Sequence, residues 1–99
     1  MRLRLESLEA QAAGLNLAQV MTRDFGGEIH YWSQGMERLY GFTTAEAIGR
    51  NSHELLRTEF PTPLSAIEHE LLERAEWTGE LHHRRSDGSA IVVVSHQSL

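Results

Sequence analysis

Six histidines, fourteen acidic residues and no cysteine set the reactive inventory of this 99-residue chain. Without thiols, the chain has no disulfides, thiolate metal sites, cysteine nucleophiles or thiol photochemistry. His53-Glu54, Glu68-His69-Glu70 and Asp87 could supply acid and base groups. Neighbouring residues on a helix point in different directions, however, so Glu68, His69 and Glu70 read as a solvated face rather than a convergent site. There is no nucleophile elbow, phosphate loop or glycine-rich nucleotide fingerprint. No catalytic residue is assigned. His82 and His83 are adjacent on a strand-like run and so point to opposite faces. His30, His83 and His96 could share a sheet face as a metal or pH-sensitive cluster, or could simply be polar positions on the sheet. No metal ligand is assigned.

These side chains sit on short elements separated by clear turn signals. Met1, Leu5, Leu8, Ala12 and Leu15 are spaced four, three, four and three residues apart, an a/d seam over two heptads. This predicts an amphipathic helix over residues 1–15, serving either as a dimer helix or as a helix lying on its own domain. Leu5, Leu8, Ala12 and Leu15 are the candidate dimer seam. Leu17–Thr22 and Glu28–Ser33 read as strands joined by a turn at Gly26-Gly27. Gln34–Gly41, a segment capped at Thr43 or Thr44, and Ser52–Leu56 read as short helices. Leu64 to about Ala75 carries an apolar stripe of Leu64, Ile67, Leu71 and Leu72. Trp77–Arg85 and Ala90–Gln97 read as strands joined at Asp87-Gly88. Taking those two residues as the turn sets Leu81 opposite Val94 and His83 opposite Val92, with Leu81, Val92 and Val94 on one face.

Nine arginines stand against fourteen acidic residues, a net charge of −5, which disfavours the phosphate backbone of a nucleic acid as a partner. The longest apolar run, Ala90–Val94, is five residues, far below the roughly 20 that span a bilayer. The first residues lack a secretory signal. These features predict a cytoplasmic domain without membrane contact.

Four motifs in order resemble the PAS sensory domain of bacterial sensor histidine kinases and related signalling proteins. They are Trp32-Ser33-Gln34-Gly35 leading into Tyr40-Gly41-Phe42-Thr43, then Glu46-Ala47-Ile48-Gly49-Arg50, then Trp77-Thr78-Gly79-Glu80-Leu81, then Arg84-Arg85-Ser86-Asp87-Gly88-Ser89. The resemblance covers about Leu15 to Leu99 and places a PAS domain at residues 16–99. It implies an α+β fold, an antiparallel five-stranded sheet in the order 2-1-5-4-3 with short helices on one face. Four strands are legible here, and the final central strand is expected to be missing from the chain.

The resemblance also implies a ligand hollow between sheet and helices, with Trp32, Tyr40, Leu55, Leu56, Ile67, Leu71, Leu81 and Val92 as its expected walls or, alternatively, as plain core. Some PAS domains hold haem through a histidine on the longest helix. His69 lies there, but flanked by Glu68 and Glu70 it is expected to face solvent. The flavin-photosensor branch needs a cysteine after the E-x-x-G-R region, and Arg50–Leu56 has none. The cofactor is therefore left open. The expected function is non-enzymatic: sensing a small molecule, forming a homodimer and relaying to a C-terminal output domain, for which the resemblance implies a histidine kinase. A ligand-free dimerisation scaffold is the alternative, and a haem or metal sensor a weaker one.

Overall fold

Alternation along the last two strands fixes which side of the sheet is inside. In a computed structural model describing residues 2–6 and 18–99, the strands are β1 (Arg2–Glu6), β2 (Val20–Arg23), β3 (Ile29–Trp32), β4 (Glu76–Arg84) and β5 (Ala90–Ser98). Ile91, Val93, Ser95 and Gln97 of β5 are buried, as are Trp77, Leu81 and His83 of β4. The residues between them on β5 are mostly exposed, the period-two pattern of a sheet covered on one face. The sheet is antiparallel with the order β3-β2-β1-β5-β4.

The helices are α1 (Gln34–Tyr40), α2 (Thr44–Ala47), α3 (Ser52–Leu56) and α4 (Leu64–Arg74). Their buried residues, among them Met36, Leu39, Ala47, Leu55, Leu56, Ile67 and Leu71, form one cluster with the inward side chains of the sheet. The short helices owe their definition to side-chain caps. Ser33 Oγ accepts from Met36 N, Thr43 and Glu46 make a reciprocal capping box, and Asn51 accepts from His53 N and Glu54 N. Gly41 closes α1 in the left-handed region.

Two expectations are corrected. The first concerns the N-terminus. Arg2–Glu6 is a strand, not a helix, paired with β2 on one side and β5 on the other. Arg2-Leu3-Arg4-Leu5-Glu6 alternates at period two as readily as it fits a heptad. As a strand it satisfies backbone groups that β2 and β5 would otherwise leave unpaired. The central position expected to be missing is thereby filled, and the sheet has five strands. Leu5 of the expected seam belongs to β1; Leu8, Ala12 and Leu15 lie outside the described residues.

The second correction concerns the β4–β5 hairpin. Arg85 N donates to Ser89 O and Gly88 N to Arg85 O, leaving three residues, Ser86, Asp87 and Gly88, in the loop. Gly88 takes φ +86°, as in a three-residue hairpin loop. Arg84 therefore faces Ala90 and Leu81 faces Val93. A one-residue slip exchanges the two faces of a strand. Val93 and Ile91 point inward, while Val92 and Val94 are exposed. Val92 is not a wall of the hollow.

Candidate functional site: a cavity beside a buried arginine

The remaining expected wall residues lie in the hydrophobic core. Trp32, Tyr40, Leu55, Leu56, Ile67, Leu71 and Leu81 are all buried in the same cluster. Most of them pack on one another. Trp32 and Tyr40 have ring centroids 5.8 Å apart, and Trp32 Nε1 donates to Phe42 O at 3.0 Å. Ile67 and Leu71 differ in that they also line an open cavity of about 380 Å³ at the β2 side of the helices, together with Arg23, Asn51, His53 and Glu68. Leu72, expected on the apolar stripe of α4, is exposed. The stripe that faces the sheet is only as wide as Ile67 and Leu71.

Arg23 is the unusual lining residue. It is 4% exposed, on the inner face of the sheet next to Met21. Its Nη1 donates to Asp24 O and its Nη2 to Gln97 Oε1, both at 3.2 Å, while Nε has no partner. Among the described residues, no carboxylate forms an ion pair with it. Burial pushes the guanidinium below its ordinary value, and the nearby charges of Glu68 and Asp24 partly oppose that shift. It still carries its charge at neutral pH, because a guanidinium starts so high. A buried cation without a counter-ion is uncommon, since its desolvation goes uncompensated.

Arg23 begins a polar line across the inner face. Gln97 Nε2 donates to Ser95 Oγ at 3.2 Å. A small internal space of about 10 Å³, close to the room one water needs, lies among Ser52, His53, His83, Ser95 and Gln97. Ser52 is 1% exposed and its Oγ has no partner among the described residues. His53 touches both spaces. Burial and then the Arg23 charge push its imidazole down to about 4, and it stacks edge-on against Phe60 at 4.9 Å. Burial likewise pushes His83 down to about 3. Both rings are neutral near pH 7 and act as hydrogen-bonding, uncharged walls.

The histidines expected to share a face do not. His83 is buried and inward, His30 is exposed beside Asp24 and Glu28, and His96 is half-buried beside Thr78. His69 stands 69% exposed on α4, paired with Glu73 at 3.1 Å.

The residues that sequence reasoning missed are Arg23, Gln97 and Ser52. One signal was available for Arg23: in Val20-Met21-Thr22-Arg23, period two puts the arginine on the same face as Met21. No helix among the described residues is long and apolar enough to cross a membrane.

The order of the strands, the capped short helices between them and the hollow under the sheet define a sensory-domain architecture. A sequence model of the PAS domain matches residues 18–96, and this chain belongs to the PAS domain family, whose members serve sensing and signalling. A solved light-oxygen-voltage domain, studied with a flavin analogue, superposes with a TM-score of 0.50 at 21% identity, over 99% of this chain and 75% of that one. At that identity the likeness concerns the fold alone. No curated protein matches the chain.

Proposed function

We propose that this PAS domain is the sensory unit of a bacterial, cytoplasmic signal-transduction protein. It reads a small molecule in the cavity beside Arg23 and, as a homodimer, relays occupancy to an output domain such as a histidine kinase. Its role is regulatory rather than catalytic. The observation that carries this reading is a cavity of about 380 Å³ whose wall combines apolar Ile67 and Leu71 with a buried cation that has no ion-pair partner among the described residues. Ligand sites commonly pair an apolar lining with a few placed polar groups. A ligand can bias the relay only by binding one conformation better than another.

The ligand-free scaffold is supported by a different observation. The deeper part of the hollow is filled, with only about 10 Å³ left among its polar residues. Native mass spectrometry of the purified protein separates the two readings. A retained small molecule of defined mass supports sensing, and a clean apo-dimer supports the scaffold. A visible absorption spectrum of the same sample reports haem or flavin directly.

A further inference from the structure

The cavity has two charged walls of opposite sign. Arg23 rises from β2, buried and with two of its five N–H donors used. Glu68, half-buried on α4, lines the same space. The two are close enough for Glu68 to act on the Arg23 charge but do not form an ion pair. The rest of the lining includes the apolar Ile67, Leu71, Leu64 and Phe25 and the uncharged groups of Asn51 and His53. A simple anion drawn to Arg23 would meet the Glu68 carboxylate. A simple cation drawn to Glu68 would meet Arg23. Only a ligand carrying both charges satisfies both walls.

Resting on the sensory reading above, we infer that the ligand is a free α-amino acid with an apolar side chain, its carboxylate on Arg23, its ammonium toward Glu68 and its side chain over Ile67 and Leu71. Nε is sealed in the interior, and Nη1 and Nη2 each keep one N–H beyond the bonds they already make, so those hydrogens are the donors left for a charge-assisted bond to a carboxylate. The pairing of opposite charges in one cavity is itself the selectivity device, because a ligand lacking either charge leaves one of them uncompensated.

Isothermal titration of the purified protein near neutral pH tests this with three families of probe. Leucine, methionine and phenylalanine carry both charges, their N-acetyl derivatives only the carboxylate, and their amides only the ammonium. At least one free amino acid should bind about tenfold or more tighter than both of its derivatives. Arg23→Gln should abolish binding. Because Arg23 also holds Gln97 and its loss could disturb folding, Glu68→Gln is the second variant, on a half-exposed helix position. It should weaken the free amino acid about tenfold while leaving the N-acetyl derivative unchanged or tighter. An N-acetyl derivative that binds as well as its parent, or a Glu68→Gln variant with an unchanged ratio, overturns the inference. Binding of none of the probes overturns it too. Native mass spectrometry then decides the sensory reading separately, since a retained ligand of other charge would leave that reading standing.

Discussion

The hydroxyl of Tyr40 lies 2.6 Å from Nδ1 of His83 and ties the last residue of α1 to the end of β4. Burial raises the Tyr40 phenol and lowers the His83 imidazole. Both groups are therefore neutral, and a single proton joins the phenol oxygen to Nδ1. Both side chains are buried, so neither finds water if the other is lost. Tyr40→Phe should destabilise the domain by about 1–3 kcal/mol. Urea denaturation near neutral pH reads this as a lower midpoint with an unchanged slope. A midpoint equal to that of the parent would mean the bond contributes nothing.

Acid should weaken the fold before it touches most carboxylates. His53 and His83 have folded values of about 4 and about 3, below the roughly 6.5 of an unfolded chain. Between those values the unfolded state binds more protons, so stability rises with pH there. The stabilisation is complete above about pH 6.5 and is lost as pH falls toward 4 and then 3. Urea midpoints measured in steps from neutral pH downward should decline through this window. His83→Gln should shift less per step, because its side chain no longer titrates.

Gly41 and Gly49 make a matched pair. Both hold left-handed φ, +82° and +83°, but a Cβ on Gly41 would meet Ser86 Oγ, whereas Gly49 has open space around it. Gly49→Ala should cost about 1–2 kcal/mol, the price of the backbone conformation alone. Gly41→Ala should cost more. Adding Ser86→Ala to Gly41→Ala should recover part of the difference, and equal losses at the two glycines would show that the Ser86 approach is inconsequential.

The hairpin register has a direct test in neighbouring valines. Val93 is 1% exposed and Val92 is 48% exposed. Val93→Ala should lower stability by about 2 kcal/mol, by lost burial and a small cavity. Val92→Ala should stay within about 0.5 kcal/mol. The reverse order would restore the two-residue turn.

Much of the fold is legible in the residues themselves. The cap at Thr43, one of two adjacent threonines that could serve, the glycine after α1 and the β-rich runs around the Asp-Gly turn state their roles locally. Two features escape for physical reasons. Whether Ser86-Asp87-Gly88 closes as a two- or three-residue loop depends on backbone angles that the same residue types permit in both forms, and the face of Val92 follows from that choice. The N-terminal segment satisfies helical and strand periodicity together, and only the unpaired edges of β2 and β5, distant in sequence, decide between them. The site divides the same way. Its apolar members, such as Ile67 and Leu71, follow from helical spacing, but the charge opposite them is brought in by a strand some 45 residues earlier in the chain.

β2 and β5 are not hydrogen-bonded to one another; each pairs only with Arg2–Glu6 on that side. The two hairpins are thus joined across the sheet by a single five-residue ribbon near the start of the chain. Any shift of that ribbon is delivered as shear along both neighbours at once, beneath the row where Leu3 lies between Met21 and Gln97. Gln97 holds the Arg23 guanidinium, so the central strand and the charged wall of the cavity are linked through one side chain.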